Sequence, residues 1–592
     1  MYHTLKKTVK RVYTIWPPQT PAHVMLRRRL APCAAFAARR RLSLACCFAG
    51  AIFIYWIVLV FRSGGGDDDD GSEQWRRVSV MDVRAHAARL DAVAPDAASR
   101  RAVVVDAIRH AWKGYATHAL GRDELRPLTR RGSDKWGRLQ WTLVDALDTL
   151  QLAGLRSELA QARAQLARSS FAQPWKTVSV FEACIRLLGG TLAAFELTGD
   201  TLYLDKAADV GERLLVAFST PSGLPVKRVS MVFGAPAWSR AYQPKPLLNT
   251  LVSMGTLQLE FAHLSRLRGD ARFEAAARRA VSAMAIPPSG EAGEPVVVHG
   301  MFPFDYNVET GAPLSRGGFK SIGSGTDSFY EYLIKVYILG DGRDTQLLDL
   351  WTSAMDEMLV LLVRNFTLAS GEQAHILSRR WGGDDTSSIS RHMEQMECFV
   401  PGMLALGVDY GRRKAIASLQ SRHGEYMRVA RGLMRTCVAM WDMHASGLAA
   451  ESYTYDDRDS QAGLRAAGGD TEYLLRPETL ESLFVLWRVT GETAFRDAGW
   501  RLFRAIETHC RTEVAYAAVR DVTAPVAALE HADSMESFLL AETFKYALLL
   551  FSDVEVLSLH DWVFSTEAHA FRIHKQGGAG VDVEARAQAT GR

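Results

Sequence analysis

Acidic residues are absent from the first 41 positions, although ten lysine and arginine residues lie there. The rest of the chain lacks a surplus of positive charge, since it carries 60 basic and 66 acidic side chains. This balance argues against a nucleic-acid-binding protein, which needs a basic face. The 7 cysteines and 16 histidines form no cluster typical of a zinc site. Few stretches alternate polar and apolar residues, which excludes a mainly β protein.

The composition is that of a globular protein, with 48% apolar and 23% charged residues in a chain of 592. A large hydrophobic core is therefore possible, and global disorder is excluded. The length allows about two to four ordinary domains or one large domain.

One apolar stretch predicts how the chain is placed in the cell. Residues 42–61, LSLACCFAGAIFIYWIVLVF, carry no charge, and twenty helical residues can cross a hydrocarbon layer about 30 Å thick. Three arginines precede this stretch, so the positive-inside rule places the N-terminus in the cytosol. We expect a basic cytosolic tail (1–41), a transmembrane signal anchor (42–61) and a flexible lumenal stem (62–95). The alternative, a cleaved signal peptide, is disfavoured by the long basic lead.

The remainder of the chain repeats a helical pattern. From Asp96 to Lys575, apolar residues recur at spacings of three and four, which predicts an all-α domain over 96–575. Several predicted helices end in a glycine that is followed by an acidic residue and a new helix. These glycines are Gly199, Gly269, Gly340, Gly407 and Gly491. A period of about 70 residues fits helical hairpins arranged as a solenoid or a closed toroid. Residues 576–592 are predicted to form a mobile tail.

Acidic residues recur at one level of this pattern. Asp327, Glu394 and Glu478 each lie thirteen residues before one of these glycines. In a toroid, such residues would converge into an acidic pit around the axis. The alternative is that helix starts favour aspartate and glutamate in any protein.

Eight motifs, taken in order, are more specific than the repeat. They are HAWKGYATHALGRDELRPL at His110, LVDALDTLQLAGL at Leu143, VSVFEACIRLLGG at Val178, SGTDSFYEYLIK at Ser324, ECFVPGMLALG at Glu397, LLRPETLESLF at Leu474, MESFLLAETFKYALLLFS at Met535 and VFSTEAH at Val563. Together they resemble glycoside hydrolase family 47, the class I α-1,2-mannosidases of the secretory pathway. The resemblance implies an (αα)7 barrel behind a single N-terminal transmembrane helix, an inverting mechanism and a bound Ca²⁺.

The resemblance also implies roles for individual residues. Glu182 matches the family's proton donor, Asp327 a catalytic carboxylate and Glu478 the general base. Thr566 matches the threonine that binds Ca²⁺ through its hydroxyl and carbonyl oxygens. Inversion needs an acid for the leaving oxygen and a carboxylate that activates water, about 6.5–9.5 Å apart. Arg186, four residues after Glu182, would lower the pKa of that acid, whereas crowded carboxylates would raise it, and the sequence leaves this open.

The first turn of the helix that begins near Pro477 is expected to favour ionised Glu478, as a base requires. Further positions match sugar-contacting residues of the family: Arg186, Glu260, Arg476, Glu481, Phe538, Glu542 and Glu567. Cys398 and Cys437 match the disulfide of the processing enzymes, and we expect Cys184 and Cys510 to be free thiols. Glu394 matches an acidic position without an assigned role.

Two positions depart from the family pattern. Gly325 stands two residues before Asp327, where the endoplasmic-reticulum enzyme that removes one mannose has arginine. The loss of a long cationic side chain is expected to widen the pit and loosen branch selectivity. Gln395 stands where processing enzymes commonly have histidine, so it retains hydrogen bonding but not a titratable group.

Three functions remain open. The favoured one is a processing enzyme of the ER or Golgi membrane, which trims high-mannose N-glycans and binds no nucleic acid. The second is a degradation-enhancing member that marks misfolded glycoproteins, with a redox partner; Gly325 favours it. The disulfide pair and the membrane anchor favour the first function. The third, a lectin on a hydrolase scaffold, is opposed by the presence of Glu182, Asp327 and Glu478. The sequence does not choose between ER and Golgi, and it leaves the use of the Asn365 sequon open.

Overall fold

The computed structural model describes one unit of the chain, between Leu90 and Lys575, and several segments fall outside the description. The described residues are Leu90 and 92–575 without 173–176, 233–246, 290–293, 296, 315–317, 382–388 and 457–462. The predicted cytosolic tail, signal anchor, most of the stem and the C-terminal tail therefore lie outside the described residues. Among the helices of the described part, none has the length and apolar character that crossing a bilayer requires.

Helices dominate this unit, as the periodicity predicts. The α-helices are α1 (Ala97–His118), α2 (Trp141–Asp145), α3 (Leu147–Leu152), α4 (Arg156–Arg168), α5 (Val180–Glu182), α6 (Gly189–Thr198), α7 (Thr201–Leu215), α8 (Leu251–Gly255), α9 (Gln258–Arg268), α10 (Arg272–Ala285), α11 (Asp327–Leu339), α12 (Thr345–Leu361), α13 (Val400–Arg413), α14 (Ala417–Gln420), α15 (His423–Asp442), α16 (Glu478–Thr490), α17 (Thr493–His509) and α18 (Phe544–Leu550). Two π-helical turns interrupt them, at Ala183–Leu188 and Leu539–Thr543, and 3₁₀ turns cover Val216–Phe218, Gln395–Phe399 and Val526–Ala528.

The strands are short and lie in the connections between helices. They are β1 (Glu124–Arg126), β2 (Arg131–Ser133), β3 (Thr177–Ser179), β4 (Arg228–Ser230), β5 (Leu248–Thr250), β6 (Pro288–Ser289), β7 (Glu294–Pro295), β8 (Asp305–Asn307), β9 (Phe319–Lys320), β10 (Val363–Thr367), β11 (Gln373–Leu377), β12 (Arg379–Trp381), β13 (Ile389–Ser390), β14 (His392–Glu394), β15 (Ser452–Tyr455), β16 (Leu464–Ala466), β17 (Trp562–Phe564) and β18 (Ala570–Arg572). They pair antiparallel in the orders β1-β2, β3-β4, β5-β8, β6-β7, β13-β12-β9, β10-β11, β14-β15-β16 and β17-β18.

The helices fall into two classes by burial. Helices α6, α11, α13 and α16 are buried on nearly every face, which their continuous apolar sequences explain. Helices α4, α7, α10, α15 and α17 bury one apolar face and expose the other. Each buried helix packs against an amphipathic neighbour in the pairs α6–α7, α9–α10, α11–α12, α13–α15 and α16–α17. The sequence therefore sorts the helices into an inner and an outer set.

The inner helices contact one another in chain order. Helix α3 packs on α6, α6 on α9, α9 on α11, α11 on α13, α13 on α16, and α16 on α18. The π-turn before α18 returns to contact α2 and α3, so the last inner segment meets the first. Hairpin β17–β18 contacts α6 and α11 and thus lies against the inner set. This arrangement brings residues from distant parts of the chain to the same place.

The predicted glycine caps are confirmed at four positions and wrong at one. Gly199, Gly269 and Gly491 end their helices in the left-handed conformation, with φ of 71°, 65° and 75°. Gly340 also follows the last helical residue, but its φ is −73° and the left-handed residue is Asp341. Gly407 ends no helix, since it lies in the middle of α13. A Cβ there would lie 2.4 Å from the Trp351 ring, so close helix packing requires this glycine.

The predicted disulfide between Cys398 and Cys437 is present, and it ties the start of α13 to α15. Cys184 and Cys510 are buried free thiols, as expected. The carbonyl of Cys398 accepts a hydrogen bond from Ser482 Oγ, which in turn accepts one from the Gly402 N–H at 2.9 Å. The disulfide therefore lies beside α16, the helix that begins at Glu478.

The packing of Gly407 can be tested with a matched pair of substitutions. Gly407→Ala should lower the free energy of unfolding by about 1–3 kcal/mol, because the added methyl group overpacks the contact with Trp351. Gly424→Ala is the control, since no atom lies within 4 Å of its Cβ position in α15. It should raise stability by about 0.5 kcal/mol through helix propensity. Thermal unfolding of the purified variants measures both changes in stability. Equal changes in the two variants would contradict the close contact between Gly407 and Trp351.

Candidate active site

The tip of hairpin β17–β18 presents two of the predicted site residues. Ser565 N–H donates to the His569 carbonyl at 2.8 Å, and Ala568 adopts a left-handed φ of 57°. The buried Ser565 Oγ accepts hydrogen bonds from the backbone N–H groups of Glu567, at 3.2 Å, and His569, at 3.1 Å. These hydrogen bonds fix the backbone of the tip. The tip places Thr566 and Glu567 next to residues of the inner helices.

Arg186 is the centre of one half of the site. Its Nε donates to Glu182 Oε2 at 2.9 Å, which is the same-face contact that the spacing of four predicts. Its Nη1 donates to Ser537 Oγ at 3.0 Å and to Glu567 Oε1. The guanidinium also lies 5.7 Å from the centroid of the Phe538 ring. One cation thus joins four elements of the chain. The π-turn Ala183–Leu188 separates Glu182 from α6, and π-turns often occur at functional sites.

Behind Arg186 lies a buried network that the sequence analysis did not single out. Asp145 Oδ2 is 3.5 Å from Arg186 Nη1, and Asp145 Oδ1 is 3.4 Å from His569 Nε2. Asp148 Oδ2 is 3.2 Å from His569 Nδ1 and accepts a hydrogen bond from Lys545 Nζ at 2.7 Å. All four supporting side chains are fully buried. The network fixes the guanidinium of Arg186 and, through it, the carboxyl groups of Glu182 and Glu567.

Asp327 and Glu478 are each the first residue of a thirteen-residue inner helix, α11 and α16. The common structural level predicted for the recurring acidic residues is thus confirmed for these two, whereas Glu394 ends strand β14 and lies before the start of α13. Burial raises the pKa of Asp327 to about 7, and the negative charge of Glu394 adds to the shift. Its carboxylate accepts hydrogen bonds from Ser328 N–H at 2.6 Å and Ser328 Oγ at 3.2 Å. A carboxyl group with this pKa can exchange a proton near neutral pH.

Glu478 lies beside a second arginine. Arg476 Nη1 is 3.4 Å from Glu478 Oε1, and Arg476 Nε pairs with Glu451. The pKa of Glu478 is nevertheless raised, because burial outweighs the nearby guanidinium. The expected effect of the helix start on the Glu478 pKa is therefore outweighed by burial. The Oε2 atom of Glu478 is buried and has no hydrogen-bond partner, so this oxygen is available to a ligand.

More carboxyl groups surround Glu478. Glu331 pairs with Lys335, whose Nζ lies 3.4 Å from Glu481 Oε1. Burial raises the pKa of Glu481 to about 8. Burial and the negative charge of Glu567 raise the pKa of Glu542 well above its usual value. Each group is thus destabilised as an anion by the others, and the lysine and two arginines do not offset them all.

Thr566 is joined to another predicted residue through a tyrosine. Tyr332 Oη accepts a hydrogen bond from the Thr566 N–H at 3.3 Å and donates to Glu260 Oε1 at 2.6 Å. Cys184 Sγ lies 3.9 Å from Glu260 Oε2. Burial raises the pKa of Glu260 to about 7. Tyr332 therefore sets the distance between the hairpin tip and the inner helix α9.

The residues around Thr566 fit a hard cation that is bound partly through water. Within the described residues, no group of three His, Cys, Asp or Glu side chains is placed to hold a metal ion directly. The buried carboxyl groups nearby nevertheless have raised pKa values and lack enough positive partners. Ca²⁺ prefers oxygen ligands and accepts water among them. A hydroxyl and a carbonyl oxygen with such an acidic surround are chemically suited to it.

The two positions that depart from the family pattern lie beside Asp327 and Glu394. Gly325 has a φ of 93°, and a Cβ there would lie 2.7 Å from the ring of Phe304. The Phe304 ring therefore occupies the space that a side chain at position 325 would need. Because of this ring, the absence of arginine does not by itself widen the pit. Gln395 is fully buried, and neither polar atom of its side chain has a hydrogen-bond partner.

Direct contacts join the predicted site residues in three groups: Glu182, Phe538 and Glu567 around Arg186, Arg476 with Glu478, and Thr566 with Glu260 through Tyr332. The residues that the sequence analysis missed are Asp145, Asp148, Glu331, Tyr332, Lys335, Glu451, Ser537, Lys545 and His569. Glu331 was detectable in principle, because it lies four residues after Asp327 on the same helix face. Asp145, Asp148 and His569 lie within the quoted motifs, but only the folded chain shows that they meet.

Comparisons with known proteins agree with this geometry. Residues 107–573 match Glycosyl hydrolase family 47. The human endoplasmic reticulum mannosyl-oligosaccharide 1,2-alpha-mannosidase is 37% identical over 485 residues, which cover 80% of this chain and 64% of that protein. A mannosyl-oligosaccharide 1,2-alpha-mannosidase of Arabidopsis thaliana is 34% identical over 481 residues, covering 80% of this chain and 79% of that protein.

A solved structure is also similar. The alpha-1,2-mannosidase from Trichoderma reesei superposes with a TM-score of 0.70 at 28% sequence identity, covering 80% of this chain and 99% of that one. The chain therefore belongs to glycosyl hydrolase family 47, and it is a glycoside hydrolase of the type that these relatives represent.

Proposed function

We propose that this protein removes terminal α-1,2-linked mannose residues from high-mannose N-glycans by Ca²⁺-dependent hydrolysis with inversion. Its helix pairs are assigned to an (αα)7 barrel, and residues 42–61 to a signal anchor in the ER or Golgi membrane. The single observation that carries the proposal is the buried acidic pit. Asp327 and Glu478 open two inner helices within it, and Glu182 is joined to the hairpin tip through Arg186.

The proposed chemistry needs a base and an acid on opposite sides of the bond. Glu478 is the proposed base, and its unpartnered Oε2 is free to accept a proton from water. Two carboxyl groups suit the acid step. Glu182 is proposed by resemblance, whereas burial raises the pKa of Asp327 to about 7, so a fraction of it carries a proton at neutral pH. Arg476, Glu481, Glu542, Glu260 and Phe538 are proposed to hold the sugar.

Ca²⁺ would be held by the hydroxyl and carbonyl oxygens of Thr566, with water as the remaining ligands. When bound, the ion would orient the sugar hydroxyls and offset the negative charge of the pit. The chain's own part is to hold Thr566 in place, which the Tyr332 hydrogen bond at 3.3 Å does. The fit to Ca²⁺ rests on the oxygen donors and the surplus of buried carboxyl groups described above.

The second candidate is the degradation-enhancing function, which the glycine at position 325 of the sequence favours. The Cys398–Cys437 disulfide is consistent with the processing function. A substrate test separates the two. Processing requires trimming of a free glycan, whereas marking of misfolded proteins requires the glycan on such a protein together with a redox partner.

Trimming of a free nine-mannose N-glycan should be sensitive to chelation. The purified protein should convert the glycan towards five mannoses and release β-mannose first, which NMR of the fresh product detects. EDTA should stop the reaction, and Ca²⁺ should restore it. Added Ca²⁺ should also raise the thermal midpoint, because the ion binds the folded state.

The proposed role of Thr566 as a Ca²⁺ ligand can be tested against a matched control substitution. Thr566→Ala should weaken Ca²⁺ binding by about tenfold or more and abolish this thermal shift, since one oxygen ligand is lost. Thr310→Ala, at an exposed loop position, should leave both unchanged. Trimming that persists in EDTA would contradict the metal, and release of α-mannose would contradict inversion. If only a misfolded glycoprotein is trimmed, the second function gains support.

Glu478→Gln should lower kcat by about 10³-fold or more while the glycan still binds, because the amide cannot accept the proton from water. Glu425→Gln, an exposed position paired with Arg428, is the control and should retain full activity. Turnover rates and calorimetric glycan binding measure the two effects. A Glu478→Gln variant with near-normal kcat would remove Glu478 from the base role.

The pH profile tests the acid step. Asp327 donates a proton only when protonated, so kcat/KM should fall as the pH rises through about 7. Glu478 acts only when ionised, so kcat/KM should also fall as the pH drops through its raised pKa. In Asp327→Asn the residual activity should lose the alkaline decline, whereas Glu182→Gln should keep it. The reverse result would assign the donor role to Glu182.

A further inference from the structure

A row of aromatic rings leads from the protein surface to Gly325. The Phe304 ring lies 2.7 Å from the position that a Gly325 Cβ would occupy. The Phe319 ring follows, with its centroid 5.5 Å from that of Phe304, and the Trp381 ring comes next at 4.7 Å from Phe319. Trp381 is 52% exposed, and Phe304 and Phe319 are partly exposed. We call these three residues the aromatic row.

The row is held in place at both ends. Phe319 and Trp381 face each other across strands β9 and β12, which pair antiparallel. On the same strand as Trp381, Arg379 Nη2 lies 2.6 Å from Glu394 Oε1, and Glu394 Oε2 accepts the Ser324 N–H at 2.9 Å. At the other end, the Phe304 carbonyl accepts the Leu251 N–H at 2.8 Å. Backbone and side-chain contacts therefore fix the rings relative to the start of α11.

The inner end of the row adjoins the candidate active site. Gly325 precedes Asp327 by two residues, and its carbonyl accepts the Val252 N–H at 3.1 Å. Ser324 is exposed and Gly325 is partly exposed, so solvent reaches the chain at the inner end of the row. The row thus extends the site outward along one side, over two ring-to-ring steps.

We propose that the aromatic row is a binding platform for the mannose residues that lie beyond the bond being cleaved. The proposal rests on the function proposed above. Indole and phenyl rings offer a rigid apolar face at low entropic cost, and the C–H face of a pyranose ring is their natural partner. An exposed tryptophan that packs at a tilt against a second ring, at the edge of a polar pit, has no role in the core.

The platform explains why glycine stands at position 325. Glycine suits this position, because its φ of 93° strains other residues and a Cβ there would lie 2.7 Å from the Phe304 ring. At this position the chain presents the Phe304 ring and no polar side chain. Aromatic stacking depends less on the direction of individual hydroxyl groups, so the platform should accept several branches. It therefore favours large glycans over small substrates without selecting one branch.

The test compares a large and a small substrate. In Trp381→Ala, the ratio of kcat/KM for a nine-mannose N-glycan to that for α-1,2-mannobiose should fall about tenfold, mainly through KM of the glycan. Trp381→Phe should restore the ratio to within about threefold, because it keeps an aromatic face. Val360→Ala, at an exposed position (73%) of α12, is the control and should leave the ratio unchanged. An unchanged ratio in Trp381→Ala would overturn the platform.

Binding without turnover separates the platform from the proposed function. In the Glu478→Gln background, Trp381→Ala should raise the calorimetric Kd for the glycan about tenfold. An equal Kd with and without Trp381 would also overturn the platform. If wild-type protein hydrolyses neither substrate but binds the glycan through Trp381, the platform stands and the proposed function fails. Trp381 is exposed, so its substitution should leave the thermal midpoint nearly unchanged, which confirms that the variant folds.

Discussion

The structure depends on one electrostatic constraint, the burial of many carboxyl groups in a small volume with too few cations. Arg186, Arg476 and Lys335 each touch more than one carboxylate or lie between two of them. Removing one such cation would leave two buried acids unpaired, which is far more costly than the loss of a surface pair. The cations are therefore fixed by the folded frame, and Asp145, His569 and Asp148 behind Arg186 are part of that frame.

The same constraint connects stability with chemistry. Carboxyl groups that destabilise one another as anions have raised pKa values, and a proton donor requires such a value. Because the buried carboxyl groups outnumber the cations beside them, the pit also favours the binding of a further cation. Burying this many carboxyl groups lowers the stability of the fold. The inner helices offset this cost because they bury almost their whole surface. The rigid outer pairs and the Cys398–Cys437 disulfide hold these helices together.

Features that depend on neighbours in sequence were predictable. The caps at Gly199 and Gly491, the helix starts at Asp327 and Glu478, and the Arg186–Glu182 contact follow from local rules. Gly407 has the same local sequence signal as the caps, yet it serves contact with Trp351, which no local rule reveals. The link from Thr566 to Glu260 through Tyr332 joins three distant segments. Phe304 fills the space at Gly325 only because a separate loop returns there.

The position of hairpin β17–β18 in the chain has a consequence for biosynthesis. Thr566, Glu567 and His569 are among the last described residues, and Glu567 pairs with Arg186, 381 positions earlier. A ribosome makes the chain from its N-terminus, so the inner helices up to α16 emerge well before this hairpin, and α18 emerges shortly before it. Until the hairpin enters, Arg186 and Lys545 lack partners that the finished fold supplies. The nascent protein thus acquires its complete site only after this hairpin has been made, although Arg186 is synthesised much earlier.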